Sequence, residues 1–218
     1  MPKRQTTSFD FNFPKNESQW LAEETQAYHD GCLHPCGIDE VGRGCLAGPV
    51  VACAVILPRG FYLPGVDDSK KIKPKLRTEL ARAILKEALA VELGMVTAGE
   101  IDQINILKAS FKAMQIALSK MAIRPDLVLV DGHLKIPDLA IPQKTYVKGD
   151  GRVFSIAAAS IVAKVVRDRL MAFYARRFPD YGFDQHKGYG TLNHRQAIAA
   201  IGPCLLHRLS FAHGTVAG

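Results

Sequence analysis

The sequence predicts an α/β protein: a mixed β-sheet flanked by helices, with a helical segment at the C-terminal end. Three observations predict it. The early strand candidates follow one another with little between them, whereas helices separate the later ones. Residues 50–56, Val-Val-Ala-Cys-Ala-Val-Ile, are apolar without alternation, as expected of a strand covered on both faces. Segments 74–88, 107–121 and 155–178 carry apolar residues at helical spacing.

Residues 1–16 read as a loose polar extension. Trp20, Leu21, Glu24 and Tyr28 have roughly helical spacing, so 17–29 is expected to be a short helix packed on the domain. Strands are expected at 36–41, 50–57, 90–97, 127–130 and 145–147. Residues 42–49 are too rich in glycine for regular strand. Pro74 suits the first turn of a helix running to about 88. Residues 99–105 read as a short connection with room for one helical turn. Leu107, Phe111, Met114, Ala117, Leu118 and Met121 lie on one side of the next helix. The longest helix, 155–178, buries Ile156, Ala159, Ser160, Ala163, Val166, Leu170 and Phe173, and Pro179 stops it. An exposed, glycine-punctuated loop at 184–191 precedes a last helix at 192–201. The domain division is an N-terminal extension, 1–35, partly flexible, and a main domain, 36–218, whose helical C-terminal segment starts near 179.

Composition narrows the function classes. The chain has 218 residues with 48% hydrophobic and 22% charged, ordinary for one globular domain. Lys plus Arg is 28 against 21 acids, a net +7, which favours a polyanionic partner without proving one. No apolar segment of signal-peptide or membrane-spanning character occurs, so no membrane association is expected. Five cysteines without paired spacing fit reduced thiols in a cytoplasmic protein. His29, Cys32, His34 and Cys36 have the wrong spacing for the common structural zinc motifs.

The chemistry concentrates at Gly37-Ile38-Asp39-Glu40-Val41-Gly42-Arg43-Gly44. Two adjacent acids in an apolar strand need something to offset their charge. Adjacent strand residues point to opposite faces, so a shared site requires the strand to twist or end there. Asp131 ends a buried strand and precedes a glycine; a plain Asp-Gly turn competes with a functional reading. Asp168 lies within a helix, where a solvated acid paired with Lys164 is the alternative. Its helical phase nevertheless places it nearer Ala157, Ser160 and Lys164 than open solvent. If Asp39, Glu40, Asp131 and Asp168 gather, they repel unless protonated or bound to cations: two unit charges ~4 Å apart cost about 4 kcal/mol at an effective dielectric near 20. Hard oxygen donors without His or Cys favour Mg2+ or Mn2+ over zinc. Two such ions could activate a water and stabilise the leaving oxygen of a phosphodiester.

Six motifs in order resemble bacterial ribonuclease HII, the type 2 ribonuclease H. They are Asp39-Glu40-Val41-Gly42-Arg43-Gly44; Asp68-Ser69-Lys70-Lys71; Asp131-Gly132; Val147-Lys148-Gly149-Asp150; Ala158 to Lys164 with Arg167-Asp168; and Gln185-His186-Lys187-Gly188-Tyr189. The resemblance implies a ribonuclease-H-like fold with a catalytic domain over 36–218. It implies cleavage of the RNA strand of RNA–DNA hybrids and incision at ribonucleotides embedded in duplex DNA, leaving a 3′-hydroxyl and a 5′-phosphate. It makes Asp39, Glu40, Asp131 and Asp168 the catalytic metal ligands, for two divalent ions. Gly42, Arg43 and Gly44 become the sensor of the ribose 2′-hydroxyl, mostly through backbone groups. Tyr189 becomes the ring against the neighbouring sugar at the RNA-to-DNA junction. Ser69, Lys70, Lys71, Lys148, Lys164 and Lys187 are candidate phosphate contacts, although a solvated surface lysine is the plainer reading of each.

Leu209 stands where family members often carry a second basic residue beside Arg208, which weakens a substrate role for the C-terminal segment. A monomer is expected. Two alternatives stay open on the residues alone. One is a related-fold, resolvase-like DNA nuclease; the other is a non-catalytic nucleic-acid-binding module. The second is disfavoured, because a binder gains nothing from acids facing a phosphate backbone.

Overall fold

A computed structural model describes residues 16–211. The loose extension expected over 1–16 falls outside them except for Asn16, as does the chain beyond Phe211.

Five strands form one mixed sheet in the order β3-β2-β1-β4-β5. β1 is Pro35–Val41, β2 Val50–Ile56, β3 Ala90–Val96, β4 Leu127–Asp131 and β5 Gln143–Tyr146. β1 pairs antiparallel with β2, and β2 with β3, while β4 lies parallel to β1 and β5 parallel to β4. β2 is buried over its whole length, as its continuous apolar run requires.

The helices are α1 Glu17–Trp20, α2 Ala22–His29, α3 Pro74–Glu87, α4 Ala98–Ile104, α5 Ile106–Ser119, α6 Phe154–Ala175, α7 Phe183–His186 and α8 Leu192–Ile201. α6, backed by α3, covers one face of the sheet, where Val41, Cys53 and Val55 meet Ala158, Ile161 and Val162. α5 covers the other, where Ile38, Ala52 and Ala54 meet Ala113, Met114 and Ala117. Contact with α6 is close enough that a Cβ on Gly37 would strike the Ser155 backbone, so only glycine fits there.

Four features differ from expectation for local reasons. The helix expected over 17–29 is two helices, interrupted at Leu21. The connection at 99–105 is the helix α4, opened by a capping box in which Thr97 and Glu100 satisfy each other's backbone amides. α6 ends at Ala175, before Pro179. Phe173, expected in its buried stripe, is exposed. Twenty-two helical residues span ~33 Å and seven strand residues only ~23 Å, so the end of α6 outruns the sheet that would bury it.

The described N-terminal residues pack on the domain. Trp20 meets the ring of Phe154 edge-on. Tyr146 donates its hydroxyl to Glu23 at 2.6 Å. Glu24 Oε1 accepts from both the N–H and the hydroxyl of Ser155, each at 2.7 Å, at the start of α6. The C-terminal segment passes through α7 and α8 and returns along residues 45–47, forming isolated bridges between Cys45 and Tyr189 and between Ala47 and His207.

Candidate active site

The antiparallel and parallel neighbours of β1 bury it from both sides, and its last residues open onto a cleft of about 350 Å³. Asp39, Glu40, Gly42, Arg43, Gly44, Ser69, Lys70, Asp131, Asp150, Ser160, Lys164 and Tyr189 line that cleft. The strand keeps its alternation. Asp39 shares the α6 side with Val41, and Glu40 shares the α5 side with Ile38. Both still reach the cleft, because it wraps the strand end; Glu40 also borders a smaller depression beside Ser110, Met114 and His133.

The acids feel one another. Burial pushes the Asp39 carboxyl well above the usual range, and Glu40 and Asp131 push it further; a hydrogen bond from Ser160 works against them. Burial raises Glu40 to about 7 despite the opposing charge of Arg43, whose Nη1 donates to Oε1 at 3.1 Å. The Arg between the two glycines therefore has a structural partner, Glu40. Asp131 at the end of β4 accepts from Gly149 N–H at 2.6 Å. A 3-10 turn, Gly149–Gly151, supplies that amide and presents Asp150. Burial raises the Asp150 carboxyl, the charges of Asp131 and Asp68 push it further, and Lys70 opposes them.

Asp168 stands apart from this group. It is held by Lys164 at 2.7 Å and Arg77 at 3.5 Å, and it is not among the residues lining the cleft. Both of its carboxylate oxygens are engaged by these cations. Asp150 takes a place in the cleft for which it was not singled out, although it belongs to the Val147 to Asp150 motif. Ser160, expected in the buried stripe of α6 and part of the Ala158 to Lys164 motif, also reaches the cleft.

Carboxylate oxygens unmixed with His or Cys suit a hard divalent cation. Among the described residues no three His, Cys, Asp or Glu side chains converge into a ready cage. Mg2+ tolerates this, since it commonly takes one or two carboxylates and completes its shell with water and phosphate oxygens. Burial first, and neighbouring carboxylate charge second, raise Asp39, Glu40 and Asp150, which is the electrostatic condition that a cation would relieve.

The glycines on the rim differ. Gly42 has φ +100°, and a Cβ there would meet the Arg167 side chain, so the fold itself demands glycine. Gly44 is exposed, and a Cβ there would meet nothing within 4 Å. Tyr189 is partly exposed; Lys164 Nζ lies 5.6 Å and Arg167 Cζ 6.0 Å from its ring centre.

The basic candidates divide by position. Lys70 and Lys164 line the acid cleft. Lys71 and Lys148 line an adjoining depression with Lys70 and Arg152. Lys187 turns its amine back onto the Asp184 carbonyl and is in neither. Ser69 is buried, its hydroxyl 3.0 Å from that of Ser160.

A mixed sheet of this order, opening at its central strands onto a carboxylate-lined cleft, defines a nuclease of the ribonuclease H class, and solved structures of that class share the fold. The structure of the PCNA:RNase HII complex from Archaeoglobus fulgidus superposes with a TM-score of 0.69 at 28% identity, covering 82% of this chain and 95% of that one. Bst ribonuclease HIII, solved in complex with Mn2+, gives 0.63 at 21% identity over 83% of this chain and 68% of that one. The family model for ribonuclease HII matches residues 36–214. The ribonuclease HII of Geotalea uraniireducens is 56% identical over 200 residues, 91% of this chain and 92% of that protein. The chain belongs to the ribonuclease HII family. It is a metal-dependent endoribonuclease that cleaves RNA in RNA–DNA hybrids and at ribonucleotides embedded in DNA. Among the described residues no helix is long and apolar enough to cross a membrane.

Proposed function

We propose that Asp39, Glu40 and Asp131 hold the divalent cations of this reaction, Mg2+ or Mn2+ and two during catalysis, with Asp168 joining if its ion pairs open. The observation that carries this reading is the convergence of Asp39, Glu40 and Asp131 on one cleft, where burial and the charges of its two neighbours push the Asp39 carboxyl upward. The chemistry that divalent cations supply at such a site is activation of a water and charge neutralisation at the leaving oxygen of a phosphodiester. The expected products are a 3′-hydroxyl and a 5′-phosphate.

The protein's own groups do the positioning. Gly149 N–H orients Asp131, Ser160 orients Asp39, and Arg43 restrains Glu40. Gly42, Arg43 and Gly44 bring backbone amides to the ribose 2′-hydroxyl, which donates and accepts and distinguishes RNA from DNA at a given position. Tyr189 lies against the adjoining sugar. Lys70 and Lys164 meet phosphates beside the acids. Ser69 joins them in the acid cleft, Lys71 and Lys148 extend that path, and Lys187 contributes only if its amine leaves the Asp184 carbonyl.

A labelled duplex carrying one ribonucleotide, its all-DNA counterpart, and Asp131→Asn protein test the reading. The wild type should cut only the ribose-containing duplex, and only with a divalent ion present. Asp131→Asn should fold and bind but lose about a hundredfold or more in rate. Equal cutting of both duplexes would remove the sensor; full activity in Asp131→Asn would remove the ligand assignment.

A further inference from the structure

Arg208 is fully buried, yet its guanidinium has no carboxylate within salt-bridge distance among the described residues. It sits in a cradle of main-chain oxygens. Nε donates to Gly48 O at 3.0 Å, and Nη2 donates to Gly48 O at 2.8 Å and Gly42 O at 2.7 Å. Nη1 donates to Arg43 O at 2.8 Å. One planar side chain, 160 or more residues downstream, thus gathers both ends of the 42–48 loop.

The direction of these bonds matters. In a trans peptide the C=O and the following N–H point opposite ways. No cis peptide bond occurs in the described chain. Pinning Gly42 O inward therefore turns the Arg43 N–H outward, and pinning Arg43 O turns the Gly44 N–H outward. Those two amides have no acceptor among the described residues, and both residues line the acid cleft. A buried polar group left unpaired is costly, so the loop carbonyls hold to Arg208 and the exposed amides stay available.

Arg208 is itself located by α4. Asp102 accepts from Leu209 N–H at 2.8 Å and from Ser210 N–H at 2.9 Å, and also from the Ser210 hydroxyl. The Phe211 ring lies 5.0 Å from the guanidinium carbon. Residues 208–211 thereby reach the sensor from behind, touching the loop and not lining the cleft.

We propose that Arg208 is a specificity-determining positioning residue: it moulds the 42–48 loop so that the Arg43 and Gly44 amides face the ribose 2′-hydroxyl. This rests on the reading of Gly42 to Gly44 as the ribose sensor. Leu209 beside it is not part of the device; its side chain is exposed and only its amide is used, which removes the difficulty its presence raised. Lysine cannot reproduce the role, because one ammonium cannot reach three carbonyls spread across a planar fork.

Arg208→Lys and Arg208→Gln are compared with wild type after thermal melts and circular dichroism establish folding. The duplexes are one with a single ribonucleotide and its all-DNA match. Expected is a fall in kcat on the ribonucleotide duplex of about 10- to 100-fold, with unchanged binding of the all-DNA duplex measured without divalent ion. Undiminished kcat in folded variants overturns the proposal. So does an equal loss of binding to both duplexes, which is what a merely structural role would give. Where neither variant folds, Asp102→Asn carries the same comparison: a selective loss on the ribonucleotide duplex supports the proposal, and wild-type kcat on it overturns it. If wild-type protein cuts both duplexes alike, the sensor reading itself has failed, and that result is separate from any loss in the variants.

Discussion

At the residue scale, Gly42 and Gly44 look alike in sequence and stand in different situations. Gly42 is buried, has φ +100° and abuts Arg167; Gly44 is exposed with open space where a Cβ would go. Gly42→Ala should destabilise the fold by about 1–3 kcal/mol, through left-handed backbone strain and the displaced arginine. Gly44→Ala should leave the melting temperature nearly unchanged, within about 0.5 kcal/mol, yet lower kcat/KM on a ribonucleotide-containing duplex. Thermal melts paired with cleavage assays separate the two. Full activity in Gly44→Ala would mean that substrate does not approach that atom closely. The acids divide in the same manner. Asp39 and Glu40 stand out in sequence because charge in an apolar strand is anomalous. Asp150 does not, because an Asp between two glycines is what any turn would show. The Lys164 pair of Asp168 was visible as an i, i+4 spacing; its second partner, Arg77, comes from another helix.

At the scale of elements, α6 carries much of the design. It places Ser160 and Lys164 on the cleft and covers β1 and β2. Its start is capped from outside: Val153 at its N-cap makes no side-chain bond, and Glu24 of α2 supplies the acceptor for Ser155. Glu24→Ala should lower stability by about 1–3 kcal/mol, from the lost cap and an unsatisfied buried donor. Glu24→Gln, which keeps an acceptor oxygen, should cost less. Chemical denaturation of the two variants checks the order, and equal losses would argue against the cap. Local patterns in sequence cannot reveal such a cap, because its two halves are 131 residues apart. The capping box of α4 shows the converse: Thr97 and Glu100 advertise that helix, and Gly99 between them masks it.

At the scale of the whole molecule, the acid cleft links stability to pH and to cations. Burial raises Glu40 from the usual carboxylate range to about 7 in the metal-free protein. Between about pH 4.5 and 7 the folded chain keeps a proton that the unfolded chain has released. The contribution of this group is therefore full below about pH 4.5 and is lost as pH rises through about 7, by up to roughly 3 kcal/mol. Metal-free protein should melt at lower temperature at pH 7.5 than at pH 5, and Mg2+ or Mn2+ should raise the melting temperature more at the higher pH. A metal-free melting temperature that climbs with pH across this window would contradict the proposed electrostatics of Glu40. The sequence by itself determined the order of the five strands and of the long helices, the mixed sheet, the family and the two acids of β1, because each is written in local periodicity or in contiguous motifs. Tertiary structure alone decided that Asp150 shares the cleft, that Arg77 joins Lys164 on Asp168, and that Glu24 and Arg208 brace parts of the chain remote from them. The reason is that hydrogen bonds and ion pairs depend on distance in space, and nothing in a local pattern records which distant donor a buried oxygen will meet.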